Sequence, residues 1–176
     1  MTRSPLIVAA LAFTLVLAGC GSRSFGNKID DQFIPSNVEQ KISQASPDLA
    51  NGSHIVVTSY NGIVLLAGQT PRADLKATAE QAARSVQGVR KVYNELQVTA
   101  PSSALARSND ALLTTKIKTE MLADNSVSSS QVKVVTENGI VYMLGVVSRQ
   151  QAQLATNLVQ GVSGVQKIVK LFEYVD

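Results

Sequence analysis

Residues able to do chemistry are few in this chain and they do not gather. There is one histidine, His54, and one cysteine, Cys20, which excludes an internal disulfide and any metal site built from several His or Cys ligands. His54 falls at the start of an expected hairpin, where a surface position is expected, and no partner for acid–base work sits at a fixed spacing from it. The carboxylates Asp30-Asp31, Glu80, Glu95, Asp110, Glu120 and Glu137 fall on different elements and form no pair that could flank one reacting bond. No serine occupies a G-x-S-x-G elbow, and Gly62, Gly68 and Gly88 lack the spacing of a phosphate-cradling loop. The expectation is a protein with no catalytic residues, no metal, no diffusible cofactor and no small-molecule substrate.

Cys20 carries a different chemistry. Arg3 precedes a 14-residue apolar run, Pro5 to Ala18, which is too short to cross a bilayer as a helix and reads as an export signal. The run ends Leu17-Ala18-Gly19-Cys20, which resembles the lipobox of bacterial lipoproteins. That resemblance implies removal of residues 1–19 and covalent acyl chains on Cys20. The competing reading, an ordinary secretory signal followed by an unpaired thiol, leaves a reactive group idle in an oxidising compartment. Gly21 stands where an Asp would imply inner-membrane retention, so the resemblance places the protein on the periplasmic face of the outer membrane. Residues 20–33 are rich in Ser, Gly, Asn and Asp without apolar period, and read as a lipidated tether.

The elements that must position anything further come as one unit used twice. Asn61, Gly62 and Gly68 recur 77 residues later as Asn138, Gly139 and Gly145, and Gly88-Val89 recurs as Gly164-Val165. Each Asn-Gly pair sits between β-branched runs, the strongest short signal for a hairpin closed by a type I′ turn. In the first copy Asn37 to Ala45 places Val38, Ile42 and Ala45 on one helical stripe, with Ser36 or Asn37 as the cap. Strands at Ile55 to Tyr60 and Ile63 to Ala67 follow. Arg72 to Val86 then forms a helix with Leu75, Ala79, Ala82, Ala83 and Val86 inward, and a strand alternates from Lys91 to Val98. In the second copy Ser108-Asn109-Asp110 caps a helix to about Leu122, whose stripe Leu113, Ile117 and Met121 is set against Val38, Ile42 and Ala45. Strands at Val132 to Thr136 and Ile140 to Leu144, a helix from Gln150 to Val162 and a strand from Lys167 to Val175 complete it. Val169 and Leu171 replace Tyr93 and Glu95 on this last strand, which marks either a contact between the copies or an edge under its own helix.

The order helix-strand-strand-helix-strand, with Tyr60-Asn61-Gly62-Ile63-Val64-Leu65-Leu66-Ala67-Gly68 in the middle and Val86-Gln87-Gly88-Val89-Arg90-Lys91-Val92 near the end, resembles the BON domain. With the lipobox and the second copy, the whole chain resembles the dual-BON-domain outer-membrane lipoproteins of the DolP type. That resemblance implies an α+β fold: two tandem domains, 34–99 and 108–176 joined by a linker at 100–107, each with two helices packed on a small three-stranded mixed sheet. It also implies a role in envelope integrity and binding of anionic phospholipid membrane through the second domain.

Charge and pattern bear on that implied function. The net charge of +3 falls to +2 once Arg3 leaves with the signal, too little to argue for nucleic acid as a partner. On the second copy's first helix, Leu112, Thr115, Thr119 and Leu122 group opposite the core stripe, with Lys116 and Lys118 at the flanks. Read as a lipid face, the leucines enter the headgroup layer while the lysines reach phosphate. Read otherwise, these are scattered leucines or a surface packed on the first domain. The competing function class is a periplasmic scaffold that holds envelope proteins of the assembly or cell-division machinery.

Overall fold

The computed structural model describes residues 25–175; the export signal, the lipobox and Cys20 lie outside the described residues. The first repeat contains α1 (Phe25–Ala45), a short α2 (Pro47–Gly52), β1 (His54–Tyr60), β2 (Ile63–Thr70), α3 (Ala73–Arg84), β3 (Lys91–Asn94) and β4 (Gln97–Val98). The second contains α4 (Ala104–Ala123), one 3-10 turn (Ser129–Gln131), β5 (Val132–Glu137), β6 (Ile140–Val147), α5 (Arg149–Gly161) and β7 (Lys167–Tyr174). In both, an antiparallel hairpin gains a parallel strand on its second member, so the α+β fold and mixed sheets stand as expected.

Each hairpin is closed by two residues in the left-handed region: Asn61 and Gly62 at φ 53° and 74°, Asn138 and Gly139 at 51° and 73°. This is the type I′ geometry, which Asn and Gly adopt at least cost. It fixes the register Tyr60↔Ile63 and Glu137↔Ile140, and with it which side chains face the helices.

The central strands β2 and β6 are buried on both faces, which explains their nearly unbroken apolar runs. Val64 and Leu66 face the first repeat's helices, and Val141 and Met143 those of the second. The opposite faces, with Tyr60, Ile63, Leu65 and Ala67 from one repeat and Tyr142, Leu144 and Leu171 from the other, form a third cluster. The molecule is therefore layered helix, sheet, sheet, helix. Leu171, with Val169 packed beside it, belongs to this seam between the domains, and the contact reading of that strand is the one the structure adopts.

Three boundaries differ from expectation, each for a physical reason. Helix α1 runs through Pro35 and begins well inside the segment read as a tether. Proline inside a helix costs about 3 kcal/mol, here offset by the burial of Ile34 and by three hydrogen bonds to Asp31 from the hairpin. The buried stripe of α1 is consequently Ile34, Val38 and Ile42, one turn earlier than expected, and Ala45 is exposed. Helix α4 starts at Ala104, capped by Ser103, whose Oγ accepts from the Ala106 amide; Asp110 is buried and caps nothing. The third strand of the first sheet breaks at Glu95, whose amide bonds Leu66 O, so that Leu96 drops into the core while Val98 is left half exposed.

Candidate functional site

The corrected register of α1 changes what is compared with what. Asp31, Ile34, Val38 and Ile42 correspond to Asp110, Leu113, Ile117 and Met121, every pair 79 residues apart. Packing agrees: a Cβ on Gly88 would lie against Ile34, and one on Gly164 against Leu113.

The two aspartates do equivalent work. Asp31 accepts from the amides of Asn61 (2.5 Å) and Gly62 (3.0 Å) and from Ser59 Oγ. Asp110 accepts from the amides of Asn138 (2.8 Å) and Gly139 (2.9 Å). A type I′ turn partly covered by a helix leaves these amides little access to water, and a carboxylate oxygen for each satisfies them with charge-assisted bonds. Asp31 was assigned to a tether and Asp110 to a cap; their shared offset with the apolar stripe was the signal available for both.

Helix α4 presents its other side to solvent. Leu105, Leu112 and Leu122 are 71%, 70% and 73% exposed, and Thr115, Lys116, Lys118 and Thr119 are exposed with them. At 100° per residue the leucines and threonines share one face, with Lys116 and Lys118 on its two borders. The predicted residues thus come together, and packing on the first domain is ruled out for them. Leu105 was missed because the helix was started too late; it lies seven residues before Leu112 on the same stripe. The threonine hydroxyls donate to Ala111 O and Thr115 O, each at 2.9 Å, so they are satisfied by the helix itself.

Each border lysine stands at a recess. Lys116 donates to Ser163 Oγ at 2.9 Å, beside an open cleft of about 400 Å³ lined also by Asn109, Leu112 and Gln166. Lys118 borders a second hollow of about 240 Å³, with Met121, Leu122 and Val132 in its wall. The counterparts of this face on α1 are Phe33, Ser36, Asn37, Gln40 and Ser43, with Glu39 in the place of Lys118. One exposed aromatic remains there, but neither border cation.

His54 is not a surface residue. Its side chain is only 25% exposed and faces Glu137 of the other domain. Among the described residues no group of three His, Cys, Asp or Glu side chains could hold a metal, and no helix is long and apolar enough to cross a membrane.

Two copies of one hairpin-centred unit, each with a helical carboxylate under its turn, define a tandem BON-domain protein. The BON domain family model matches residues 30–100 and 109–176, and the chain belongs to this family. The first match opens at residue 30, so Asp31 falls within the domain. The chain is 38% identical to Outer membrane lipoprotein DolP of Haemophilus influenzae, over 100% of both chains. It is 36% identical to the 21 kDa hemolysin of Actinobacillus pleuropneumoniae, over 87% of this chain and 78% of the relative. With Osmotically-inducible protein Y of Escherichia coli it shares 31% identity, over 81% and 72% respectively.

Proposed function

We propose that this chain is an outer-membrane lipoprotein, anchored through acyl chains on Cys20, whose second BON domain binds anionic phospholipid by the outer face of α4 and so supports envelope integrity. The protein works as a binding module without a catalytic step. The observation that carries the reading is the stripe of three leucines, each more than two-thirds exposed, bordered by Lys116 and Lys118. The full-length likeness to a relative named as an outer-membrane lipoprotein supports the anchor and the location.

The magnitudes fit a weak, selective contact. A leucine moved fully from water to an apolar layer gains about 1.5–3 kcal/mol, and shallow insertion realises part of that. Each lysine near an anionic surface contributes about 1 kcal/mol, and salt screens that part. Such binding suffices for a protein already tethered to the same membrane.

The test is flotation of the soluble 21–176 chain, which retains every described residue, with vesicles of defined headgroup. Binding is expected to anionic vesicles, to weaken with salt and to be lost on neutral ones. Equal binding to neutral and anionic vesicles would contradict the role given to the lysines. No binding to either would favour the scaffold reading.

A further inference from the structure

Away from the lipid face, one polar contact crosses the seam between the sheets. Glu137 ends β5 and is 7% exposed; its Oε1 lies 3.4 Å from Nε2 of His54, which opens β1. Neither His54 Nε2 nor Glu137 Oε2 has a hydrogen-bond partner among the described residues. The other groups facing Glu137 come from three elements. Gln69 on β2 lies beside the carboxylate, Asp110 on α4 adds a second negative charge, and Tyr142 on β6 has its hydroxyl pushed up to about 12, chiefly by burial. None of them is a cation. Lys133 donates to Ser59 O and Arg90 pairs with Glu173, contacts made at the other end of the seam.

A lone carboxylate at this place is costly, being buried, close to Asp110 and opposite an imidazole. Burial first and Asp110 next push the Glu137 carboxyl above its ordinary value, and His54 opposes them. One proton held between the two groups removes the difficulty in either of its placements, imidazolium facing carboxylate or imidazole facing carboxylic acid. With the seam open both groups are solvated, and the burial that makes a shared proton favourable is lost.

We propose that His54 and Glu137 form a proton-operated latch across the domain seam, closing with uptake of one proton, so that acidification from pH 8 to pH 6 tightens the contact between the two BON domains. The sign follows from linkage: the state that binds more protons gains stability as pH falls. One proton limits the effect to about tenfold per pH unit in the ratio of closed to open seam. His54 is the only histidine of the chain, so this pairing of imidazole and carboxyl occurs once in the sequence.

The experiment uses the full-length protein in detergent and reads seam opening by thiol labelling of Leu65→Cys, whose side chain is buried in the seam, corrected for the intrinsic pH dependence of thiol reactivity. From pH 8 to pH 6 the ratio of closed to open seam is expected to rise at least fivefold. Glu137→Gln, which removes the buried carboxyl, should reduce that change to less than twofold. A flat or falling ratio in the parent protein, or a Glu137→Gln protein with the parent's slope, overturns the latch. Should Glu137→Gln fail to fold, Glu137→Leu, which also removes the carboxyl, decides by the same criterion.

Discussion

Asp31 and Asp110 hold the turns around which the two domains are built, and their removal has a definite expected outcome. Asp110→Ala leaves the buried amide of Gly139 and the part-buried amide of Asn138 without their partner, at about 1–3 kcal/mol for a buried unsatisfied group. Asp31→Ala strips the corresponding turn of the first domain and also frees Ser59 Oγ. Residue-resolved hydrogen exchange should show each loss concentrated in the domain that carries the substitution; equal loss in both would mean that the seam makes them one cooperative unit. The turn glycines separate in the same way. Valine at Gly62 or Gly139 meets a positive φ, a strain of about 1–3 kcal/mol. At Gly62 the added Cβ would also sit 2.8 Å from Gly88 O, whereas at Gly139 it meets only the Gln166 side chain, which can move. Gly62→Val is therefore expected to lower the urea midpoint more than Gly139→Val.

At the level of elements, the hairpins were legible because Asn-Gly between β-branched runs permits little else, and α3 and α5 because their alanines recur at helical spacing. The first helices were half legible. Pro35 reads as a start signal, and only contacts made across the fold, from Asp31 to the hairpin amides and from Ile34 toward Gly88, keep the chain helical before it. That slip of one turn set Leu112 against Asn37, when its counterpart is Phe33. The six residues read as a lipid face do share one exposed side of α4, and Leu105 was missed from that side because Ser108 looked as good a cap as Ser103. The break at Glu95 was not legible, since Val92, Asn94, Leu96 and Val98 alternate as an unbroken strand does. The role of His54 was also hidden, because its partner Glu137 lies in the other copy. One prediction belongs to this scale: Leu105→Glu, at the end of the stripe nearest the linker, should weaken vesicle binding less than Leu112→Glu, which lies one turn from Lys116. Flotation of the two variants side by side gives the comparison.

For the molecule as a whole, the seam decides which surfaces are available. Both sheets spend their second faces on each other, so a scaffold role through the sheets is left with strand edges, not a sheet face, among the described residues. The outer helices remain. In sequence, Cys20 precedes Phe25 by five peptide steps, a reach of about 18 Å even when extended, so acylation at Cys20 would hold the body close to the bilayer. Cys20→Ala is expected to yield unprocessed or mislocalised protein in membrane fractionation; normal maturation and outer-membrane recovery would contradict the anchor. The most direct measurement sets the two outer helices against each other, as flotation of the 21–176 chain with anionic vesicles after single substitutions at matched positions. Leu112→Glu and Lys116→Glu should each abolish binding while circular dichroism and melting temperature stay at parent values, and Phe33→Glu and Asn37→Glu should leave it largely intact. Parent-level binding by both α4 variants, or loss of binding through the α1 variants instead, would contradict the assignment of the membrane contact to the second domain.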